Sequence, residues 1–161
     1  MHAIFVGDGE TGDLVRAIAG AGLQNVRVHG YSPAARRIAA AADALVLSSL
    51  SEGQPIAVLE AFQDGTLVVV SDIPELKELV DDGVTGVTFA ADDAGSLAGA
   101  LARIAAMPEA EREAIRRRAG ERHRTTFSTS AMVRNYLQLY HLARRARPRA
   151  VIARPPISPA A

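Results

Sequence analysis

Up to residue 89 the chain repeats one pattern: a short apolar run, a turn rich in Gly, Asp or Ser, and a stretch with helical spacing. The apolar runs fall at 3–6, 26–29, 44–47, 67–70 and 87–89. The stretches between them, 13–21, 33–42, 55–63 and 74–80, read as helices. Ser32 with Pro33, then Pro55 and Pro74, supply their starts, and Gly22, Asp64-Gly65 and Asp81-Asp82-Gly83 supply their stops. Strands that read as continuous apolar runs alternating with helices predict an α/β fold with a mostly parallel sheet and helices on both faces. After residue 89 the pattern is helical only. Helices are predicted over 94–106, with Asp93 as cap, over 109–124, and from Ser128 onward, where Met132, Val133, Tyr136, Leu137 and Tyr140 share helical spacing. Residues 1–146 are expected to form one domain. The Pro- and Arg-rich residues 147–161 are expected to be a disordered tail.

A length of 161 residues, 48% of them apolar, is enough for one domain with a real core. The chain has no cysteine, which excludes disulfides, thiolate metal sites and cysteine nucleophiles. The apolar start is too short for a secretion signal, so a cytoplasmic location is expected. The charges are balanced overall but unevenly placed. Residues 1–102 carry 5 basic and 14 acidic side chains, and residues 103–161 carry 13 and 4. Such a basic end suits solvated helix faces or peripheral contact with an anionic membrane. Nucleic acid is not expected, because no aromatic residues interleave with the arginines of 112–124.

The first turn reads Gly7-Asp8-Gly9-Glu10-Thr11-Gly12, a G-x-G-x-x-G string after a strand. A dinucleotide site also needs a carboxylate ending the next strand, to take the ribose hydroxyls. That strand reads Val26-Arg27-Val28-His29-Gly30 and has none. The glycines therefore read as a tight strand-to-helix turn. The four histidines lack metal-ligand spacing, and the serines at 48, 49 and 51 lack a G-x-S-x-G frame.

The segment from Ser48 to Phe62 is more specific. A strand ends, a polar turn carries Glu52 and Gly53, and a helix begins at Pro55. In an open parallel sheet, ligands bind beyond the carboxyl ends of the strands. A helix N-terminus there suits a phosphate, and Gly53 lets a ligand approach the backbone. Glu60 on the first turns of that helix can accept hydrogen bonds from sugar hydroxyls. On the residues alone, a plain turn residue at 52 and a surface helix residue at 60 stand equally beside that reading.

The frame S-x-S-E-G-x-P-x-x-x-L-E-A, with Glu52 and Glu60 separated by seven residues, resembles the donor-site signature of retaining GT-B glycosyltransferases of family 4, or group 1. Further similarities lie at Val6-Gly7-Asp8-Gly9, Val28-His29-Gly30-Tyr31, Ala42-Asp43, Val69-Val70-Ser71-Asp72, Glu78 to Gly86 and Phe127-Ser128, in order, over about residues 3–142. The resemblance implies the C-terminal half of the GT-B fold, which binds the nucleotide-diphosphate sugar. Glu60 is then expected to hold the ribose. Glu52 is expected at the donor sugar, as the catalytic position. Gly53, Gln54, Pro55 and Leu59 are expected to line the sugar and diphosphate, with Gly7 and Gly9 at the floor and Tyr31 near the base. No cofactor or metal is implied. The donor is a UDP-, GDP- or ADP-sugar.

The family places another strand and helix before the Val6-Gly7-Asp8-Gly9 segment, bearing an Arg and later a Lys that hold the diphosphate, and an acceptor-binding domain before those. Here Met1-His2 directly precedes the segment. The expected partner is a separate or missing acceptor-binding domain, and the chain alone is expected to be inactive. An exposed apolar sheet edge should mark the place of the absent strand. A non-catalytic nucleotide-sugar binder or partner subunit is the alternative.

Overall fold

A computed structural model describes residues 1–7 and 11–146. The elements run β1 (Ala3–Val6), α1 (Thr11–Gly20), β2 (Val26–Gly30), α2 (Ala35–Ala40), β3 (Ala44–Leu47), α3 (Ile56–Asp64), β4 (Leu67–Ser71), α4 (Pro74–Lys77), β5 (Val87–Phe89), α5 (Ala94–Ala106), α6 (Glu109–Arg122) and α7 (Thr129–Ala146). A π-helical turn, His123–Phe127, joins the last two. The sequence pattern finds every one of these strands and helices. Asp8, Gly9 and the tail 147–161 lie outside the described residues.

Local chemistry sets the ends. Gly65 closes α3 in the left-handed region at φ 76°, where a side chain would be strained, and the Thr66 amide donates back to the Ala61 carbonyl at 2.8 Å. Asp93 caps α5 by accepting from the Ser96 amide at 2.9 Å. Ser128 caps α7 by accepting from the Ala131 amide at 3.2 Å. Three helices are shorter than the spacing predicts. α4 stops at Lys77, and the amides of Leu79 and Val80 both turn to the Leu76 carbonyl. α2 closes early because the amides of Ala41 and Ala42 tighten into three-residue bonds to Ile38 and Ala39. α6 stops at Arg122, where the next turn widens until the Ser128 amide reaches the His123 carbonyl and the Thr125 hydroxyl donates to the Glu121 carbonyl.

β4 is the centre of the core, buried along its whole length. Its alternating side chains feed two cores. Val68 and Val70 join Val58, Phe62, Ile73 and Leu76 on the face covered by α3 and α4. Leu67 and Val69 join Val87, Ala100, Ile104 and Ile115 on the face covered by α5 and α6. This is the helix-on-both-faces arrangement expected of buried parallel strands.

All pairings are parallel, but the five strands form two sheets: β1 with β2, and β3-β4-β5. A single sheet is therefore not closed among the described residues. β1 is exposed on both sides, with Ile4 55% and Phe5 46% accessible, so the expected bare apolar edge is present there.

Candidate functional site

Beyond β3 the chain runs through Ser48 to Pro55 along the carboxyl edge of the three-stranded sheet. Two hydrogen bonds shape this loop. The buried Ser71 hydroxyl, at the carboxyl end of β4, donates to the Ser49 carbonyl. The Ser49 hydroxyl in turn donates to Glu52 Oε1 at 2.5 Å. Glu52 is thus half-buried and held by its own loop, while Gly53 and Gln54 are exposed. Pro55 is buried and starts α3, and the Val58 amide donates to its carbonyl at 3.0 Å. Proline suits this N-cap position, just before Ile56, because an amide there would find no partner within the helix. The Ala57 amide finds no acceptor among the described residues, so the N-terminal turn of α3 has a free donor at its positive dipole end.

Leu59 and Glu60 follow on the first turns of α3, both half-buried. Among the described residues Glu60 has one cationic neighbour, Arg36 Nη1 at 3.8 Å. Arg36 itself is fastened by Asp64, with Nε and Nη2 each 2.7 Å from a carboxylate oxygen, and Nη2 reaches Gln63 at 3.1 Å. This fork ties α2 to the carboxyl half of α3. The hydrogen bond from Arg36 holds the Asp64 carboxyl below its ordinary range, and the same bond raises the guanidinium. Arg36 therefore faces Glu60 and Asp64, toward the carboxyl half of α3.

Asp72 follows β4 and accepts from the Ala91 amide at 3.0 Å and from Lys77 at 3.1 Å. The Ala91 bond, helped by Lys77, lowers its pKa. Its geometry is that of a turn residue linking the ends of β4 and β5.

Gly7 follows β1 at φ 155°, a conformation that side-chain-bearing residues rarely adopt, and its amide donates to the Gly30 carbonyl at 3.0 Å. Tyr31 follows, 73% exposed. Both stand at the carboxyl ends of the two-stranded sheet. Among the described residues no hydrogen bond links them to the Ser48–Pro55 loop. Gly9 lies outside the described residues. Glu52, Gly53, Gln54, Pro55, Leu59 and Glu60 are thus brought together by one loop and one helix, with Gly7 and Tyr31 on the neighbouring sheet.

Two contributors escaped the sequence reading. Ser71 carries no local signal of its own, and its bond to Ser49 joins positions 22 apart with no periodic pattern. The Arg36–Asp64 fork spans 28 residues in the same way. A groove of about 820 Å³ lies elsewhere, between the carboxyl end of α3 and α6, lined by Phe62, Gly65, Arg117, Arg124 and Ser128 among others. Among the described residues no cluster of three His, Cys, Asp or Glu side chains is placed to hold a metal ion, and no helix is long and apolar enough to cross a membrane.

The family pattern described as "Glycosyl transferases group 1" matches residues 1–107, about two thirds of the chain. The chain belongs to the group 1 glycosyltransferases. Among the curated relatives of this transferase chain, the D-inositol 3-phosphate glycosyltransferase of Salinispora tropica is 34% identical over 100 residues, 62% of this chain and 20% of that protein. The protein of that name from Mycobacterium tuberculosis is 32% identical, over 60% of this chain and 21% of its own length. The chain thus spans about a fifth of the curated relatives it matches. Among solved structures, a glycosyltransferase of Rickettsia africae superposes with a TM-score of 0.81 at 19% identity, covering 91% of this chain and 41% of that one. Anabaena HepE in complex with UDP-glucose gives 0.76 at 24% identity, covering 89% and 41%. Both structures establish the GT-B glycosyltransferase fold for this chain.

Proposed function

We propose that this chain is the donor-side domain of a glycosyltransferase: it binds a nucleotide-diphosphate sugar, and in the complete enzyme the glycosyl group is transferred with retention of configuration. The observation that carries the reading is the Ser48–Pro55 loop, which holds Glu52 at the carboxyl edge of the sheet just before the N-terminal turn of α3, with Glu60 one turn further on. The helix end and the backbone of Gly53 and Gln54 take the diphosphate, whose negative charge the helix dipole favours. Glu60 accepts hydrogen bonds from the ribose hydroxyls. Glu52, fixed by Ser49, faces the donor sugar and stabilises positive charge that develops at the carbon losing its diphosphate. Pro55 and Leu59 pack below the ligand. Gly7 and Gly9 form the floor, and Tyr31 lies near the base. HepE binds UDP-glucose and UDP, which makes a UDP-sugar the first donor to try.

An acceptor must be held over the sugar for transfer to occur. This chain matches about two fifths of each of the transferase structures above. Calorimetric titration with UDP-, GDP- and ADP-sugars tests the reading, followed by a transfer assay with and without candidate acceptor-binding chains. Saturable binding of one nucleotide class, and turnover only with a partner, is the expected result. Binding without turnover in either setting favours a non-catalytic nucleotide-sugar binder. No binding to any of the three classes contradicts both.

A further inference from the structure

We propose that the groove between α3, α6 and the start of α7 binds a phosphate monoester that also carries hydroxyl groups, at a site separate from the loop of Glu52 and Glu60. The inference does not depend on the nucleotide-sugar reading. The groove lies at the carboxyl end of α3 and the Ser48–Pro55 loop at its amino end, and the nine residues of α3 put about 13 Å between them.

The cations come first. The groove, of about 820 Å³, is lined by Arg116, Arg117 and Arg124. Arg116 is paired with Glu109 at 2.7 Å. The side chains of Arg117 and Arg124 make no hydrogen bond or ion pair among the described residues. Gly120 lies between these two in the chain and lines the same groove. Arg124 Nη1 stands 3.5 Å from the place a Gly120 Cβ would take, so the guanidinium reaches back over the glycine. A glycine weakens a helix interior, and here it leaves the floor beside that guanidinium open.

The chain itself supplies little counter-charge. Of the carboxylates that line the groove, Asp64 is held by the Arg36 fork, and Glu113 makes no ion pair among the described residues. Residues 122–161 contain no Asp or Glu, so the two arginines find no carboxylate in that stretch of side chains.

These groups select the ligand. Guanidinium forks match phosphate oxygens. Ser128 and Ser130, at the start of α7, line the groove, and the amides of Thr129 and Ser130 find no acceptor among the described residues. The helix start thus adds donors on the side of the arginines. A phosphate monoester carries close to two negative charges at neutral pH, which suits two unpaired guanidinium groups. The α3 side has the opposite chemistry. The Phe62 carbonyl oxygen lies 3.4 Å from the Gly120 Cβ position and accepts no hydrogen bond among the described residues. It and the Glu113 carboxylate repel phosphate and accept from hydroxyls. The phosphate therefore sits toward α6 and α7, and the hydroxyls toward Phe62 and Glu113.

The test is a residue-resolved NMR titration of the full chain with glycerol 3-phosphate, with inorganic phosphate, and with sodium chloride at matched ionic strength. The expected result is saturable shifts at Gly120, Thr129 and Ser130, with glycerol 3-phosphate binding tighter than inorganic phosphate. Arg117→Gln and Arg124→Gln alter exposed side chains and should each weaken binding about ten-fold. Arg124→Lys keeps the charge without the fork and should recover only part of that loss. Glu60→Ala should leave these shifts unchanged, which separates this site from the donor loop. Co-sedimentation with phosphatidylcholine vesicles, with and without phosphatidylinositol 4-phosphate, tells the source of the ester. Sedimentation only with the phosphorylated lipid puts it on a headgroup, and none at all beside binding of glycerol 3-phosphate makes it a free small molecule; both uphold the site. No shifts at Gly120, Thr129 and Ser130, shifts that chloride reproduces, or shifts that survive both glutamine variants overturn the proposal. Shifts confined to Gly53 and Ala57 also overturn it, because the phosphate would then be at the amino end of α3.

Discussion

Glu52 and Glu60 carry similar chemistry on different supports. Glu52 receives the Ser49 hydroxyl, and Ser49 is held in turn by Ser71. Among the described residues Glu60 has only Arg36 near it, at 3.8 Å, a distance that leaves its oxygens free for hydroxyl donors. Glu60→Ala should therefore weaken binding of free nucleotide by about 1–3 kcal/mol, with little change in the unfolding midpoint. Calorimetry beside thermal denaturation checks both halves, and unchanged affinity removes Glu60 from the ribose. Glu52→Ala should weaken a sugar nucleotide more than the matching free nucleotide, and equal losses count against a sugar-facing Glu52. Acid sensitivity also belongs to single residues. The Asp64 carboxyl is lowered by its bond to Arg36, so the stability it contributes is present above its ordinary pKa of 3.8 and is lost as pH falls through the lowered value. Asp64→Asn should flatten that part of the acid limb, as read from denaturant midpoints at pH 7 and pH values near 3. A limb of unchanged slope would show the fork contributes nothing to it.

At the scale of elements, the ends of helices and strands are where single changes tell most. Gly86 leads into β5 so close to β4 that an added Cβ would lie 2.6 Å from Val68 and 2.7 Å from Val80. Gly86→Ala should cost about 1–3 kcal/mol by overpacking, seen as a lower urea midpoint. Ser71→Ala removes a buried bond to the loop that carries Glu52. It should cost about 1–3 kcal/mol and weaken ligand binding too, because the loop loses its anchor. A variant that loses stability but keeps full affinity would show that the loop holds itself. These elements also show what the sequence discloses. β4 reads as a strand because four consecutive apolar residues are bounded by Gly65 and Asp72, and α5 starts at Asp93 because a carboxylate there can meet the Ser96 amide. Both signals are local. The Ser71–Ser49 bond and the Arg36–Asp64 fork join residues far apart in sequence, and one sequence gives no period or spacing from which to read them. The candidate site was legible at Glu52 and Glu60 through the resemblance and not through physics alone, since a carboxylate on a turn or a helix is common on any surface. The π-helical turn at His123–Phe127 was hidden for a third reason: hydroxyl competition at Thr125 is a choice made by packing, not by propensity.

At the scale of the whole molecule, the chain divides into a well-packed half and an open one. β4 and its two cores are fully buried, whereas β1 has a bare edge, and every described side chain of α7 beyond Ala131 is exposed. Met132, Val133, Tyr136, Leu137 and Tyr140 form an apolar stripe there, with the rings of Tyr136 and Tyr140 6.4 Å apart. Most helical stability in proteins comes from a packed face, and this stretch has none among the described residues. Amides in the second half of α7 should exchange orders of magnitude faster than those of β4 in the lone chain, and matched protection would mean that α7 is covered. Such openness suits part of a larger transferase, as does the small share of each relative that the chain spans. The central claim is narrower and can be met on this chain alone: activated sugar binds at the loop and helix that carry Glu52 and Glu60. A residue-resolved NMR titration with UDP-glucose tests it most directly, with GDP- and ADP-glucose in parallel. The account predicts saturable shifts from one of the three, concentrated at the amides of Gly53, Gln54, Ala57 and Glu60 and lost in Glu60→Ala. Shifts confined to the Arg117–Arg124 groove, or none with any of the three, would contradict it.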